Sequence, residues 1–217
     1  MNFKTDTVLF DLDGTLINYT KGWKRFWNPV VYKACKPFVE TLPDYSEETN
    51  FSEIIKYTEE KLKEKNLFWE SFNNECYEAV KKGLEAGDEI TPYQEAVDVL
   101  ENLSKNYKMG LITNHNHSGR DAILQAHDLD RFFDFKISPT ESESLKFKPS
   151  PDMIHFAMKK MNAKKAVYVG DSHVDVEASI SAGIPCIIVE RGNYSINHTL
   201  KVKTLNELIG LLADGKV

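Results

Sequence analysis

Cysteine is scarce in this chain of 217 residues, which contains only Cys35, Cys76 and Cys186. The three are far apart and odd in number, and none forms a CxxC pair or a Cys/His pair with metal-ligand spacing. These absences argue against a disulfide framework and against a zinc site built on cysteine. We expect three reduced thiols.

Long apolar runs and blocks of positive charge are also missing. The longest apolar runs are far shorter than the ~20 residues of a membrane-spanning helix. The N-terminal MNFKTD lacks the apolar core of a signal peptide. The formal net charge is −6, and no Lys/Arg block alternates with aromatic residues. We therefore expect a cytoplasmic protein with neither nucleic acid nor membrane as a partner.

Short apolar segments alternate with amphipathic ones from residue 91 onward. Together with Val8–Phe10, the apolar segments predict strands at 108–113, 132–138, 166–170 and 185–190. Helices are predicted at 91–105, 119–127, 150–161, 174–182 and from 204, the first and last opening with capping boxes, TPYQ and TLNE. This alternation indicates βαβ units and an α/β fold with a doubly wound, Rossmann-like parallel sheet.

A block of helices interrupts that alternation directly after the first strand. Residues from about 17 to 88 predict three or four helices, roughly at 19–39, 46–65 and 67–86. We predict an α/β catalytic core from residues 1–16 and 90–217, and a smaller α-helical cap domain from residues 17–89. Helix packing is the expected role of the aromatic residues in the block, namely Trp23, Phe26, Trp27, Phe68, Trp69 and Phe72.

Carboxylates gather where the predicted strands end. Asp11 and Asp13 follow the first strand in VLFDLDGTL, and burying two unpaired carboxylates side by side is costly. Carboxyl ends of parallel strands form the ligand-binding edge of such a sheet. We expect the polar residues that follow the other strands, Thr113, Asn114, Asp171 and Asp175, to meet them there with Lys148 from a nearby loop. Several aspartates without a His/Cys set suit Mg²⁺.

Four segments, in this order, resemble the motifs of the haloacid dehalogenase superfamily. They are DLDGT at Asp11–Thr15, Thr113–Asn114, Lys148–Pro149 and GDSHVD at Gly170–Asp175. The similarity is to phosphatases of the phosphoglycolate phosphatase type, which have a helical cap inserted after the first strand. It covers the core, about residues 5–15 and 90–215, whereas the cap matches only in position and helical character.

The resemblance implies a phosphoryl transfer in two steps. Asp11 would attack phosphorus and form an aspartyl-phosphate intermediate. Asp13 would protonate the leaving oxygen and then activate the water that hydrolyses the intermediate. Lys148 would neutralise charge on Asp11 and on the transferring group. The expected substrate is a small soluble phosphomonoester, such as phosphoglycolate, a sugar phosphate or a nucleotide, and the enzyme would be a monomer or a homodimer.

The resemblance also assigns the residues that hold phosphate and metal. The Thr113 hydroxyl and the Asn114 backbone N–H, together with Lys148, would bind phosphoryl oxygens. The implied Mg²⁺ ligands are Asp11, the backbone carbonyl of Asp13, Asp171 and Asp175, the last either a ligand or an anchor for the others.

Some alternatives stay open at the level of sequence. A sugar phosphomutase would keep every core motif, and a binding module without catalysis would be expected to lose some of them. Asp175 could simply favour the first turn of a helix. The histidines near the predicted site, His115, His117 and His173, match no metal motif, and we expect them to be solvated loop residues rather than a second metal site.

Overall fold

The computed structural model describes residues 5–42, 51–87, 89–142, 145–191, 196, 198 and 200–215. The chain divides into two compact units, which we call the core unit (Met1–Asn18 with Pro92–Val217) and the helical unit (Tyr19–Thr91). Each division lies two residues after the boundary expected from the sequence.

Eight strands are present among the described residues. They are β1 (Thr7–Phe10), β2 (Ile17–Tyr19), β3 (Ile90–Pro92), β4 (Lys108–Ile112), β5 (Phe135–Ile137), β6 (Ala166–Gly170), β7 (Cys186–Val189) and β8 (Lys201–Val202). Six of them form a sheet in the order β5-β4-β1-β6-β7-β8, and every neighbouring pair is parallel. The predicted doubly wound parallel sheet is therefore confirmed.

Eight α-helices accompany these strands in the same part of the chain. They are α1 (Trp23–Cys35), α2 (Phe51–Lys61), α3 (Asn66–Glu85), α4 (Ala96–Leu103), α5 (His117–Ala126), α6 (Asp152–Lys160), α7 (His173–Ala182) and α8 (Asn206–Ala213). The first three belong to the helical unit and the rest to the core unit. The predicted start of the second helix, at 46–50, lies outside the described residues.

Central strands of the core unit are easy to predict because they are buried on both faces. All residues of β1, β6 and β7 are buried, as are the last four of β4. Such strands read as continuous apolar runs. The helix α7 ends where predicted, because Gly183 adopts a left-handed backbone conformation with φ of 72° and closes the helix.

The capping box predicted at residues 91–94 is wrong. Thr91 and Pro92 belong to β3, which pairs with β2 in a separate two-stranded sheet, and α4 begins only at Ala96. Strand pairing with a segment more than 70 residues away in the sequence therefore outweighs a local helix signal. The second predicted box is half formed, since the Glu207 carboxylate accepts the backbone N–H of Thr204 but α8 begins at Asn206.

Aromatic side chains of the helical unit pack against one another, as predicted. The Phe68 ring is fully buried, and its centroid lies 5.1 Å from that of Trp69 and 5.7 Å from that of Phe72. A second group joins Phe26 and Trp27, whose ring centroids are 5.0 Å apart. The unit therefore has a core of its own.

The three cysteines are buried free thiols, which confirms the expectation from their spacing. Burial raises the pKa of Cys76 and of Cys186 to about 12, so both thiols stay protonated at neutral pH. Among the described residues, no helix combines the length and the apolar character that crossing a membrane requires.

Candidate active site

The three strands at the centre of the sheet deliver polar residues to one edge. β1 lies between β4 and β6, and the strand order runs in opposite directions on its two sides. Asp11 follows β1, Thr113 follows β4 and Asp171 follows β6. Ligands of doubly wound folds bind at such a reversal of strand order, outside the carboxyl ends of the strands.

Three aspartates converge at this edge. Carboxylate oxygens of Asp11, Asp171 and Asp175 all lie within 4.8 Å of one another. Burial raises the pKa of Asp11 well above its usual value, the charge of Lys148 lowers it, and the neighbouring carboxylates add to the rise. Burial and the charge of Asp175 likewise raise the pKa of Asp171 to about 7. Without a metal ion, it is therefore unfavourable for all three carboxyl groups to be ionised at once.

Lys148 places a positive charge between two of these carboxylates. Its side chain is 2 % exposed, and Nζ donates to Asp11 Oδ1 at 2.6 Å and to Asp175 Oδ1 at 2.7 Å. Burial alone would lower the pKa of Lys148, but the two carboxylates outweigh burial and raise it well above its usual value. The ammonium is therefore a permanent charge, since it remains protonated throughout the physiological range.

Asp175 has two structural partners. Its Oδ1 accepts from Lys148, while its Oδ2 accepts the backbone N–H of Ser172 at 3.0 Å and the Ser172 hydroxyl. The contact with Ser172 forms part of a capping box that opens α7. Asp175 thus lies in the first turn of a helix, as one of the alternatives from the sequence had it, and at the same time holds Lys148.

Gly14 allows the loop after β1 to approach Asp171. Its φ is +81°, and a Cβ on this residue would lie 2.3 Å from Asp171 Oδ2. Both the backbone conformation and the lack of space therefore require glycine. Asp13, one residue earlier, is half-buried, and its side chain is not part of the carboxylate group formed by Asp11, Asp171 and Asp175.

The Asn114 side chain holds the backbone of Lys148. Asn114 Oδ1 accepts the Lys148 N–H at 2.7 Å, and Asn114 Nδ2 donates to the Lys148 carbonyl at 3.1 Å. The buried Thr113 accepts the His115 backbone N–H at its Oγ1, at 3.0 Å. The sequence suggested only a backbone role for Asn114, and this reciprocal clamp on a residue 34 positions away was missed.

The prediction of a solvated histidine is wrong for His115. It is 6 % exposed, and its Nδ1 lies 3.0 Å from the carbonyl oxygen of Asn116. Its ring packs against Gly119, where a Cβ would lie 2.1 Å from His115 Cε1. The ring therefore occupies the space that the missing side chain of Gly119 leaves beside α5. The local sequence does not reveal this contact. His117 and His173 are exposed, as predicted.

Two further residues of the site were missed. Ser172 had a readable signal, because a serine three residues before an aspartate at the start of a helix is the pattern of a capping box. Tyr168 had a weaker one, a single hydroxyl inside the apolar strand AVYVG. Its Oη lies 3.0 Å from Lys148 Nζ.

Aspartates and a buried lysine at the switch point of a parallel sheet are typical of an α/β enzyme. The sequence profile of the family described as "Haloacid dehalogenase-like hydrolase" matches residues 8–189. This range is more than half of the chain, and the chain belongs to that family.

Individual relatives agree with the family assignment. Pyrophosphatase PpaX of Bacillus thuringiensis is 29% identical over 193 residues, which are 83% of this chain and 81% of the relative.

Two solved structures share the fold. A predicted phosphoglycolate phosphatase from Haemophilus somnus has a TM-score of 0.69 at 23% identity, covering 97% of this chain and 98% of its own. A mutant of CbbY from Rhodobacter sphaeroides, in complex with xylulose-1,5-bisphosphate, has a TM-score of 0.71 at 19% identity, covering 94% and 96%. The family assignment identifies the chain as a hydrolase.

Proposed function

We propose that this protein is a Mg²⁺-dependent phosphatase that hydrolyses a small soluble phosphomonoester through an aspartyl-phosphate on Asp11. The observation that carries the proposal is the buried contact of Lys148 with Asp11 and Asp175, next to Asp171. A family hydrolase with this cluster has a nucleophile, a fixed positive charge and oxygen ligands within one site.

The donor set fits Mg²⁺. The cluster offers oxygen atoms only, and three carboxylates face a single ammonium, which leaves two negative charges for a divalent cation to balance. We assign the carboxylates of Asp11 and Asp171 and the backbone carbonyl of Asp13 as ligands. Both oxygens of Asp175 already accept hydrogen bonds, so we assign it as the anchor of Lys148. When bound, the cation would supply positive charge to the phosphoryl oxygens.

Asp11 and Asp13 carry out the bond changes in this proposal. An Asp11 oxygen attacks phosphorus, the bond from phosphorus to the ester oxygen breaks, and Asp13 gives its proton to that leaving oxygen. A water molecule then attacks the phosphorus of the aspartyl-phosphate while Asp13 takes up the proton of the water. The bond between phosphorus and Asp11 breaks, which restores both carboxyl groups and releases inorganic phosphate.

Lys148 and the loop after β4 stabilise the transferring group. The ammonium is held in place before the reaction, so it needs no reorganisation when charge develops on the phosphoryl oxygens. Thr113 Oγ1 accepts a hydrogen bond from the His115 backbone, and its own hydroxyl hydrogen is the group that we assign to a phosphoryl oxygen. We assign the Asn114 backbone N–H to a second oxygen. These donors compensate charge in a site that already contains several carboxylates.

The proposed mechanism is the same for every phosphomonoester, so the substrate has to be identified by a direct assay. The relatives include proteins named pyrophosphatase and phosphoglycolate phosphatase, so inorganic pyrophosphate and phosphoglycolate belong in a panel with sugar phosphates and nucleotides. A cytoplasmic location and a monomeric or homodimeric state stay predictions from the sequence.

The test is phosphate release from this panel with Mg²⁺ and with EDTA, for the wild type and for Asp11→Asn. We expect release that requires Mg²⁺ and that falls about a thousandfold or more in the variant, because the nucleophile is lost. Asp98→Asn, an exposed aspartate in the first turn of α4, is the matched control and should keep full activity. Full turnover by Asp11→Asn would contradict the mechanism. Interconversion of sugar phosphates without net phosphate release would favour a phosphomutase.

A further inference from the structure

Lys148 has a third partner that the proposed chemistry does not use. Besides Asp11 and Asp175, its Nζ donates to the hydroxyl oxygen of Tyr168 at 3.0 Å. An ammonium group has three N–H donors, and these three partners account for all of them. The direction of this bond is certain, because lysine in its charged form cannot accept.

The Tyr168 hydroxyl is itself held from the far side. It donates its hydrogen to the carbonyl oxygen of Ile112 at 2.8 Å. Ile112 ends β4, directly before Thr113, whereas Tyr168 lies in β6 with β1 between the two strands. The Tyr168 hydroxyl thus connects the Lys148 ammonium to the end of β4, where the proposed phosphate-binding residues begin.

Packing alone does not call for a tyrosine at this position. The residue is 0% exposed and belongs to an apolar cluster that includes Leu9, Ile112 and Met153. A phenylalanine would fill the same volume without burying a hydroxyl, which is costly unless it is hydrogen-bonded. Burial keeps the pKa of Tyr168 well above its usual value, so the hydroxyl is neutral in the folded protein.

A neutral partner suits the third donor of this lysine. Two carboxylates already draw on the charge of Lys148, and a third would compensate it further. A phenol oxygen can hold the ammonium in place while leaving its charge for the phosphoryl group. The ring adds a favourable contact, since Nζ lies 5.4 Å from its centroid.

We propose that Tyr168 is a positioning residue, whose hydroxyl fixes the Lys148 ammonium against the Ile112 carbonyl for phosphoryl transfer. The effect on catalysis rests on the proposed phosphatase function, whereas the positioning of Lys148 is a property of the folded protein. Without the hydroxyl, the ammonium keeps its two carboxylate partners but is free to turn and shift toward either of them.

The first test is the kinetics of Tyr168→Phe, which keeps the buried ring. We expect kcat to fall by about tenfold to a hundredfold, the range that a small misplacement of a catalytic group produces. KM and the Mg²⁺ concentration for half-maximal activity should change less than about twofold, because the ligands and phosphate donors are untouched. Tyr107→Phe is the matched control, a half-buried tyrosine directly before the amino end of β4, and it should leave kcat unchanged.

The second test does not depend on activity. In protein with ¹⁵N-labelled lysine, the ammonium signal of Lys148, assigned by its loss in Lys148→Met, should exchange slowly with water in the wild type. The signal should shift and exchange faster in Tyr168→Phe but not in Tyr107→Phe. If the wild type releases no phosphate but the signal responds in this way, the proposed function fails while the positioning stands. An unchanged kcat in an active enzyme, an unchanged Lys148 signal, or fast exchange already in the wild type would each overturn the positioning.

Discussion

At the scale of single residues, the carboxylates of the site carry more negative charge than the Lys148 ammonium can balance. Asp171 is the clearest case, since burial and Asp175 raise its pKa to about 7 while Lys148 offsets only part of the rise. A carboxyl group whose pKa is raised on folding destabilises the folded protein once the pH exceeds its unfolded pKa. The residues that we propose as metal ligands thus weaken the metal-free fold, as is common at functional sites.

Replacing Asp171 should therefore have opposite effects with and without metal. Near pH 8 in EDTA, Asp171→Asn should raise the free energy of unfolding by about 1 kcal/mol, because it removes a negative charge that the metal-free site disfavours. Added Mg²⁺ should stabilise the wild type but not the variant, since ligand binding to the folded state is lost. Urea unfolding measures both, with Asp98→Asn as the control that should follow the wild type. A variant less stable than the wild type in EDTA would contradict this account of the charges.

At the scale of elements, one arginine joins several segments of the core unit. Arg191 follows β7, and its guanidinium carbon lies 3.6 Å from the centroid of the Tyr93 ring. Its Nη1 donates to Glu95 Oε1 at 2.7 Å, and its Nη2 to the Thr15 carbonyl at 3.3 Å. Glu95 Oε1 also accepts the Leu205 backbone N–H at 3.4 Å. This set of contacts, centred on Glu95 and Arg191, ties the segments that precede α4 and α8 to the loop after β1.

The ion pair should make this part of the fold sensitive to acid. Burial alone would raise the pKa of Glu95, but backbone hydrogen bonds and Arg191 outweigh burial and lower it on balance. The stabilisation is therefore present above the unfolded pKa and is lost as the pH falls through the folded pKa. We expect Glu95→Gln to lower the free energy of unfolding by about 1 kcal/mol near neutral pH, and by progressively less between about pH 5 and pH 3.

Urea unfolding across this pH range, with the exposed Glu101→Gln of α4 as control, measures the effect of Glu95. The control should differ little from the wild type at every pH. If the loss caused by Glu95→Gln were the same at pH 3 and at pH 7, its charge would not be the source of the stabilisation.

At the scale of the whole molecule, the two units have separate apolar interiors. In the helical unit, Val31, Cys35, Ile54 and Phe68 form a buried cluster. In the core unit, the sheet and its helices bury another, which includes Leu9, Tyr168 and Ile188. Units with separate cores can open separately, because each loses its own buried contacts.

Neighbouring residues of α3 provide a matched test of this organisation. Phe68→Ala should destabilise the helical unit by about 3–4 kcal/mol, since a fully buried ring is lost, whereas Leu67→Ala, 68% exposed, should change it by less than about 0.5 kcal/mol. Hydrogen exchange should speed up in residues 19–91 of Phe68→Ala while the strands β1, β4 and β6 keep their protection. Equal acceleration in those strands would show that the two units unfold as one.

Much of this molecule is encoded locally in its sequence. The central strands are readable as apolar runs because they are buried on both faces, and the catalytic candidates stand where those runs end. Asp11, Lys148 and Asp171 could therefore be brought to one edge by topology alone. Their convergence within hydrogen-bonding or metal-binding distance agrees with that reasoning.

Only the tertiary structure decided which residues that are distant in the sequence contact one another. Tyr168 reaches Lys148 and the Ile112 carbonyl only because β6 and β4 flank β1, and strand order does not follow from local periodicity. The pairing of β2 with β3 likewise turned a helix signal at Thr91 into a strand. The sequence by itself determined which segments are buried and where charge is placed, because these depend on local composition. The partners of each buried polar group depend on the packing of the whole chain, and this packing sets the geometry of the site.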